Sequence, residues 1–301
     1  MRILVVGVDL NTFVKEQCDA LATKGVIVFK HQVTGHGLLG YFKASLDLRK
    51  AIRQYHPDLI HAHYGLSGLL ANLQRKVPVV TTFHGSDIHN GGWLLRLSQI
   101  TIRLSAYSIF VSKRLKELSG TCQPNVCVIP CGIDLDTIQE RQRNEAKKLV
   151  NRDKPFALFS GSFTNKVKNP DLAKAAMKKM PDTELVELRG YNRQEVNLLM
   201  NATDCLLMTS HREGSPQVIK EAMACGTPIV SVDVGDVKEI MGNTKGCYIA
   251  ECNADDIAEK MELALAFKGK TSGRQRIMEL GLSNEFVVKR LLEIYKKVLG
   301  Q

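Results

Sequence analysis

Hydrophobic and polar positions follow one repeating pattern along most of the chain. Short apolar runs, such as RILVVG at 2–7, are each followed by a stretch in which apolar residues recur every three or four positions, as at 12–24. Apolar runs of this length predict buried strands, and the recurring stretches predict amphipathic helices. Strands that alternate with helices predict a parallel sheet with helices on both faces. We therefore expect an α/β protein.

The alternation is interrupted between residues 137 and 154, where the sequence TIQERQRNEAKKLVNRDK is charged and carries no sustained apolar stripe. Such a stretch predicts a linker. A chain of 301 residues also fits two medium-sized domains better than one. We expect a first domain over 1–136, a linker over 137–154, a second domain over 155–283 and a final helix over 284–301.

The segment 203–242 contains the densest succession of predicted elements. The apolar run at 205–208 predicts a buried strand, and a polar loop follows at its carboxyl end. Ser215 is a good helix cap, Pro216 suits the first helical turn, and Gly226 ends the helix before a second buried strand. The start of such a helix presents free backbone N–H groups and a positive dipole end, which favour an anion such as a diphosphate.

Two glutamates frame this helix start. Glu213 lies in the loop before the helix, and Glu221 lies eight positions later inside it, so the two do not form an acid/base pair. One interpretation places a carboxylate at each end of an elongated polyhydroxylated ligand, because a carboxylate accepts two hydroxyl hydrogen bonds. The other interpretation is one loop carboxylate and one solvated helix residue. From the spacing alone the two carry equal weight.

A second candidate phosphate site lies in SGSFTNKVKNPD, the loop at 160–171. Gly161 gives room there, and Lys166 and Lys168 stand beside a helix that starts near Pro170. Positive charge beside a helix start binds phosphate. A solvated pair of lysines is an equally good interpretation of these residues alone.

The charge is unevenly distributed. The net charge is +10, and residues 1–120 carry 15 Lys or Arg against 7 Asp or Glu, a net +8. A basic surface attracts anionic lipid head groups, phosphorylated acceptors or nucleic acid. No nucleic-acid module accompanies it, so we expect no nucleic-acid partner and regard an anionic membrane as a candidate peripheral contact. No uncharged apolar stretch is long enough to span a bilayer, which favours a cytoplasmic protein.

The sequence offers few metal ligands. Cys122, Cys127 and Cys131 are the only cluster among eight cysteines, and their spacing lacks the paired C-x-x-C units of a zinc site. His61 and His63 point to one face of the strand in DLIHAHYG, where hydrogen bonding at the strand end is a more common role than metal binding. No Asp-x-Asp pair follows a predicted strand. We therefore expect no metal and no cofactor.

Residues 93–102, WLLRLSQITI, predict a helix that is apolar on one side and carries Arg96 on the other. Such a helix packs in a core or lies on a membrane interface. Core packing is the more common of the two.

Three segments resemble one family. EGSPQVIKEAMACGTPIVSVDVG at 213–235 resembles the Glu-x7-Glu signature of the retaining nucleotide-sugar glycosyltransferases of family 4, which have the GT-B fold. TTFHGSD at 81–87 resembles the family's histidine loop in the first domain. VIPCGID at 128–134 resembles its V-I-P-N-G-V-D approach to the hinge, with Cys131 in place of the usual Asn.

This resemblance implies two Rossmann-like domains facing each other across a cleft, with the acceptor bound by the first and the donor by the second. The final helix packs back on the first domain in similar folds. The implied reaction moves a sugar from a nucleoside-diphosphate sugar to a hydroxyl of a carbohydrate or lipid-linked acceptor, in cell-surface polysaccharide assembly. An epimerase or hydrolase that uses the same cleft, and a non-catalytic sugar-nucleotide-binding subunit, are the alternatives.

The resemblance also implies roles for individual residues. Glu213 contacts the donor sugar, Glu221 holds the ribose hydroxyls, His84 reaches the transferred hexose, and Lys168 stabilises the leaving diphosphate. Asp236, in the following loop, fits a helix cap better than a ligand. The remaining expected donor-binding residues are Gly161, Lys166, Arg189, Tyr191, Gly214, Ser215, Pro216, Gln217 and Val218. Of these, Arg189 and Tyr191 stand at the GYNR loop, 190–193, which by its position against the family is expected to meet the nucleotide base.

The lysine loop departs from the family pattern. Family members commonly carry an Arg and a Lys there, whereas Ser162 and Thr164 stand where the Arg is expected. Either Lys166 substitutes for the Arg, or the phosphate site has one cation, Lys168.

Overall fold

A computed structural model of the protein describes residues 1–8, 10, 12–35 and 37–301. The chain divides into two compact units, and the chain passes from one to the other twice. Unit 1 comprises residues 1–132 and 284–301, and unit 2 comprises residues 133–283. Among the described helices, none combines the length and the hydrophobicity that crossing a bilayer requires.

Unit 1 is built on a parallel sheet, which in the described residues has six strands in the order β2-β1-β3-β4-β5-β6. The chain alternates between strands and helices, as the apolar pattern predicts. The elements are β1 (Arg2–Gly7), α1 (Thr12–Thr23), β2 (Ile27–Gln32), α2 (Gly37–Tyr55), β3 (Leu59–His63), α3 (Gly65–Asn72), β4 (Val79–Phe83), α4 (Ser86–His89), α5 (Gly92–Leu104), β5 (Tyr107–Phe110), α6 (Lys113–Ser119), β6 (Val126–Val128) and α14 (Asn284–Leu299).

The last helix, α14, belongs to the core of unit 1. Its apolar residues recur at helical spacing, and five side chains of the helix are buried. They share one hydrophobic cluster with Ile3 and Val5 of β1 and with Val14 and Leu21 of α1. The hydroxyl of Tyr295 also lies 2.6 Å from Nδ1 of His61 on β3. Helix α14 therefore covers one face of a sheet that is formed by residues far away in sequence.

Unit 2 is built on a second parallel sheet, with five strands in its described residues in the order β11-β10-β9-β7-β8. Strands β7, β9 and β10 are buried throughout. The elements are α7 (Arg143–Leu149), β7 (Phe156–Phe159), α8 (Pro170–Met177), β8 (Glu184–Glu187), α9 (Arg193–Ala202), β9 (Cys205–Met208), α10 (Gln217–Ala224), β10 (Ile229–Val232), α11 (Val237–Met241), β11 (Cys247–Ala250), α12 (Ala254–Ala266) and α13 (Gly273–Glu279).

The segment 137–154 differs from the linker that its charge predicts. It lies within unit 2, and part of it forms α7. Its few apolar residues include Ile138 and Ala146, which are fully buried in the core of unit 2. The ammonium group of Lys147 donates to both carboxylate oxygens of Asp204, at 2.9 and 2.7 Å. Charge alone was misleading here, because two buried apolar residues and the ion pairs of Arg143, Lys147 and Arg152 anchor the segment in unit 2.

Candidate functional site

The polar residues of unit 2 converge where Lys168 meets Glu213. Lys168 ends a single 3₁₀ turn, Lys166–Lys168, after β7, and Glu213 lies in the loop after β9. The ammonium group of Lys168 donates to Oε1 of Glu213 at 2.6 Å, and both side chains are largely shielded from solvent. Strands β7 and β9 are neighbours in a parallel sheet, so their carboxyl ends bring the two loops together. Two residues expected to be catalytic are therefore in direct contact.

The local structure holds Lys168 in this position. A Cβ atom at Gly161 would lie 3.1 Å from Cγ of Lys168, so the glycine leaves space for the lysine stem. The hydroxyl of Thr209 lies 3.0 and 2.9 Å from the carbonyl oxygens of Lys168 and Asn169. The N–H of His211 donates to the carbonyl of Val167 at 2.9 Å. These contacts tie the lysine loop to the loop that carries Glu213.

Lys166 is in a different environment from Lys168. Its side chain is exposed, and within the described residues it makes no hydrogen bond or ion pair. The hydroxyls of Ser162 and Thr164 lie 2.9 Å apart at the positions where the family carries an Arg. Lys168 is thus the cation that the fold positions in this loop.

Glu221 lies inside α10, is nearly buried and forms an ion pair with Arg193. Arg193 is the first residue of α9, whose start is fixed by a capping box between Asn192 and Glu195. Arg193 was not among the predicted site residues, although Arg193 is the last residue of the GYNR loop that was expected to meet the nucleotide base. Its position just after a good capping residue was the available signal.

Arg189 and Tyr191, which were expected to meet the base, lie on the exposed surface of that loop. The described residues give neither side chain a hydrogen bond, an ion pair or a ring contact. Arg193 is the residue of this loop that the fold connects to a glutamate of the Glu-x7-Glu motif.

The start of α10 corrects two predictions about helix caps. Pro216 occupies the N-cap position and Gln217 begins the helix, so Ser215 is not the cap. The hydroxyl of Ser215 instead donates to Oδ2 of Asp236 at 2.6 Å and accepts from Nζ of Lys220 at 2.8 Å. Asp236 stands at the N-cap position of α11, but its side chain makes no cap hydrogen bond. The two side chains that were predicted to cap helices, Ser215 and Asp236, instead hydrogen-bond to each other.

This contact is buried. Lys220 is fully buried, and burial raises the pKa of Asp236 to about 6, although Lys220 and the hydrogen bond from Ser215 both lower it. The polar trio of Ser215, Lys220 and Asp236 therefore fixes the backbone that leads into α10.

The backbone at Gly235 packs closely against the backbone of the loop that carries Glu213. Gly235 has φ +61°, and a Cβ atom there would lie 2.8 Å from the carbonyl oxygen of Gly214. Only glycine fits this approach without strain. Val218, another expected donor-binding residue, is buried in the first turn of α10, so it contributes to the site through its backbone or by packing.

Three buried polar atoms at this edge of the sheet lack a hydrogen-bond partner within the described residues. They are Oγ of Ser160 after β7, Oγ of Ser210 after β9, and Oδ1 of Asp236 after β10. Buried polar atoms are nearly always hydrogen-bonded in native structures. Unsatisfied atoms at the carboxyl ends of three adjacent strands indicate a place for a polar ligand.

Unit 1 places His84 directly after β4, in a setting of aromatic rings. Nε2 of His84 lies 2.9 Å from Nδ1 of His63, and its Nδ1 lies 3.6 Å from Sγ of Cys131. The rings of Phe13 and Tyr64 lie 5.1 and 4.7 Å from the His84 ring, centroid to centroid. Cys131, the departure from the family's Asn, is thus a neighbour of the expected catalytic histidine.

Next to His84, on the side of His63, lies a group of buried side chains in contact with one another. Nε2 of His61 lies 2.7 Å from the hydroxyl of Thr82, and Nδ1 of His61 lies 2.6 Å from the hydroxyl of Tyr295. Burial lowers the pKa of His63 to about 3 and lowers the pKa of His61 well below its usual value. Both rings are therefore neutral at physiological pH. The prediction that this pair makes hydrogen bonds at a strand end agrees with these contacts.

Asp87 shapes the turn that carries His84. Its carboxylate accepts from the N–H groups of Gly85, Gly65 and His84 at 2.8, 3.1 and 3.3 Å. Burial raises the pKa of Asp87, and these hydrogen bonds oppose the rise. A cavity of about 340 Å³ opens beside the turn and lies within unit 1. Its lining residues are Val8, Tyr64, Leu66, Ser86, Asp87, Asn90, Leu94 and Ser98.

Within the part of the chain that the structure describes, no group of three His, Cys, Asp or Glu residues is placed to hold a metal ion. Lys168 and the helix start at Gln217 are positive groups near the expected diphosphate position.

Comparison with known sequences gives two matches in chain order. The sequence pattern of Glycosyltransferase Family 4 matches residues 10–137, and that of Glycosyl transferases group 1 matches residues 185–277. TuaC of Bacillus subtilis, a glycosyltransferase assigned to teichuronic acid biosynthesis, is 26% identical over 241 residues, which are 69% of this chain and 61% of TuaC. The D-inositol 3-phosphate glycosyltransferase of Geodermatophilus obscurus is 25% identical over 299 residues, 80% of this chain and 66% of that protein. The chain thus spans about three-fifths of the length of its curated relatives.

Solved structures agree in fold. The sucrose-phosphate synthase of Thermosynechococcus elongatus superposes with a TM-score of 0.86 at 16% identity, covering 100% of this chain and 99% of that chain. Anabaena HepE, solved in complex with UDP-glucose, gives a TM-score of 0.73 at 17% identity, covering 99% of this chain and 100% of that chain. At these identities the likeness establishes the fold, two Rossmann-like α/β domains of the GT-B type. The two sequence patterns together support a glycosyltransferase of family 4, as the three motifs indicated, and the fold agrees with this assignment.

Proposed function

We propose that the protein is a retaining glycosyltransferase that moves a sugar from a nucleoside-diphosphate sugar to a hydroxyl of a carbohydrate or lipid-linked acceptor. The observation that carries the proposal is the contact between Lys168 and Glu213 beside the start of α10. It joins a cation suited to a phosphate, a carboxylate suited to sugar hydroxyls and a helix N-terminus in one place.

The donor diphosphate would bind to Lys168 and to the backbone N–H groups of Gln217 and Val218 at the start of α10. In the unliganded protein Glu213 balances the charge of Lys168, so the site is prepared for the anion without leaving a lysine unpaired. When the bond between sugar and phosphate breaks, negative charge grows on the diphosphate. Fixed positive groups stabilise that charge more in the transition state than in the ground state, which is the requirement for catalysis.

Glu213 and Glu221 would contact the sugar and the ribose of this donor. Glu221 approaches the ribose hydroxyls from inside α10, and its ion pair with Arg193 restrains its rotamers before the donor binds. The unpartnered hydroxyls of Ser160 and Ser210 offer further hydrogen bonds at the same sheet edge. Uridine diphosphate is the first nucleotide to test, since the structurally similar HepE is described with UDP and with UDP-glucose.

Unit 1 would supply the acceptor side. The 340 Å³ cavity beside the turn that carries His84 is lined by the polar residues Tyr64, Ser86, Asp87, Asn90 and Ser98, and such a cavity suits a hydroxylated ring. We propose no covalent enzyme intermediate and no metal ion, because Lys168 and the helix start supply positive charge for the leaving group. A role in cell-surface polysaccharide assembly is supported by the assignment of TuaC to teichuronic acid biosynthesis.

The test is incubation of the protein with a panel of nucleotide sugars, with and without polyol and lipid-linked acceptors, followed by mass spectrometry and by proton NMR of the anomeric position of the product. We expect nucleotide release that depends on the acceptor, together with a product heavier than the acceptor by one sugar residue and with the anomeric configuration of the donor. Release of free sugar alone indicates a hydrolase, and an isomerised donor indicates an epimerase. Tight binding without turnover of any donor indicates a non-catalytic subunit. Each of these three results contradicts the proposal.

A further inference from the structure

An apolar groove opens on unit 1 away from the polar residues around His84. It has a volume of about 530 Å³ and lies among α2, α3 and α5. Its lining includes Phe42, Leu66, Leu69, Leu73, Trp93 and Leu97.

Several of these side chains are far more exposed than large apolar groups usually are. Phe42 is 66% exposed, Trp93 is 65% exposed and Leu73 is 52% exposed. Single exposed apolar residues need no explanation, but a contiguous set on three helices marks an interaction surface. The helix at 93–102 thus presents its tryptophan to the surface, where core packing was the more common expectation.

The segments that form the groove carry mainly positive charge. Helices α2 and α5, together with residues 65–76 of α3 and the turn after it, carry eight Lys or Arg and one acidic residue, Asp47. All eight basic side chains are exposed, and each helix or turn contributes some of them. They are Lys43, Arg49, Lys50, Arg53, Arg75, Lys76, Arg96 and Arg103. The segments that form the apolar groove therefore carry an exposed excess of positive charge.

We propose that this face, formed by α2, α3 with its following turn, and α5, docks on the surface of an anionic phospholipid membrane. Trp93 and Phe42 would enter the interface between head groups and acyl chains, where aromatic side chains are favoured. The basic residues would contact lipid phosphates. A second copy of the chain is a poorer occupant, because it would bring two faces of the same charge together.

The position of the groove suits a membrane-anchored acceptor. Leu66 lines both the groove and the cavity beside His84, so the two openings are adjacent within unit 1. Docking itself requires neither donor nor acceptor. Membrane binding and glycosyl transfer can therefore succeed or fail independently in experiments.

The sequence provides a direct probe of docking, since Trp93 is the only tryptophan. The full chain is mixed with vesicles of phosphatidylcholine and phosphatidylglycerol in equal amounts, and with vesicles of phosphatidylcholine alone, while Trp93 emission and flotation are recorded. We expect a blue shift and co-flotation with the anionic vesicles only. We also expect binding to fall at least tenfold between 50 and 500 mM NaCl.

Two variants test the two components of the face, each with a matched control in unit 2. Phe42→Ser with Trp93→Ser removes the apolar component, and its control is Leu149→Ser with Met278→Ser, at positions 65% and 47% exposed. The variant Lys43→Glu, Lys76→Glu, Arg96→Glu reverses one exposed charge on each of the three segments that form the groove. The control for it is Lys148→Glu, Lys178→Glu, Lys245→Glu, which changes the net charge equally at exposed positions.

We expect each groove variant to lose at least tenfold in vesicle affinity, and each control to bind within threefold of the unchanged protein. Circular dichroism checks that all variants are folded. Unchanged Trp93 emission with anionic vesicles overturns the proposal, and so does equal loss in a groove variant and its control. A dimer that becomes monomeric in the Phe42→Ser, Trp93→Ser variant also overturns it, because a second copy then occupies the groove.

Discussion

The two units prepare their polar residues in opposite ways. In unit 2 the groups at the candidate site are charged and paired, Lys168 with Glu213 and Arg193 with Glu221. In unit 1 the groups behind His84 are buried rings, and burial holds the histidines neutral by lowering the pKa of His63 to about 3. One site balances charge with charge, whereas the other removes charge by desolvation.

This difference fits the proposed division of substrates. A diphosphate carries negative charge that grows during the reaction, so unit 2 needs cations that exchange one anionic partner for another. The hydroxyl group that accepts the sugar is neutral, so unit 1 needs oriented hydrogen-bonding groups without strong charge. Three substitutions test whether charge is functional in unit 2 and whether its absence is maintained in unit 1.

The largest effect is expected for Glu213→Gln. The change keeps the shape of the side chain but removes the negative charge beside the sugar, so turnover should fall by about 100-fold. Affinity for UDP should stay within threefold or become tighter, because Lys168 loses its carboxylate partner and is available to the diphosphate. Turnover comes from UDP release with the best donor, and affinity from titration calorimetry. A turnover within twofold of the unchanged protein contradicts the role of Glu213.

The next effect is expected for Lys168→Ala, which removes the cation that the fold positions. Affinity for UDP should weaken by about 1.5 to 3 kcal/mol, the range of a hydrogen bond to a charged group. Lys166→Ala is the matched control, since Lys166 belongs to the same 3₁₀ turn and its side chain is exposed. Calorimetry of both variants with UDP measures the difference. Equal weakening by the two would indicate a clamp of two cations, and no weakening by Lys168→Ala would move the phosphate elsewhere.

The smallest effect concerns the neutral histidines of unit 1. His63 has a folded pKa near 3 against an ordinary value of 6.5, so its stabilisation is complete above pH 6.5 and is lost as the pH falls towards 3. Between pH 7 and pH 5 this loss should lower the free energy of unfolding by roughly 2 kcal/mol. In His63→Gln the dependence on pH should be smaller by that amount.

Urea unfolding at pH 5, 6 and 7 measures this dependence for both proteins. Burial raises the pKa values of Asp87 and Asp236, which acts in the opposite direction over these pH values, but their contribution cancels when the two proteins are compared. Parallel pH profiles for the two proteins would mean that His63 is not held neutral.

Much of the fold was predictable because its signals are local. The buried strands such as β1 and β9 are short apolar runs, and the helix after Glu213 has helical periodicity and a glycine at its end. The motifs around His84 and Glu213 could be recognised in the sequence for the same reason, since each motif occupies consecutive residues. The sequence therefore predicted where the two glutamates and Lys168 lie in their loops and helix, and the space at Gly161, whereas the roles of these residues stay predictions.

The parts that the sequence did not reveal depend on contacts between distant residues. Arg193 lies 28 positions from Glu221, and Ser215 lies 21 positions from Asp236. No local pattern distinguishes a capping serine from one that bonds a neighbouring loop. The prediction of a linker at 137–154 was wrong for a related reason. Ile138 and Ala146 acquire their core neighbours only when the sheet of unit 2 has formed.

The return of α14 to unit 1 has a consequence for biosynthesis. Unit 2 is one uninterrupted segment, whereas unit 1 needs two segments, 1–132 and 284–301, which lie on either side of unit 2 in the sequence. While the ribosome still holds residues 284–301, the first sheet lacks the helix that supplies Val287, Val288 and Leu291 to its core. Tyr295 is then also missing from its place against His61. Translation of unit 1 therefore starts before that of unit 2 but ends after it. A premature stop after Ser283 would damage unit 1 more than unit 2.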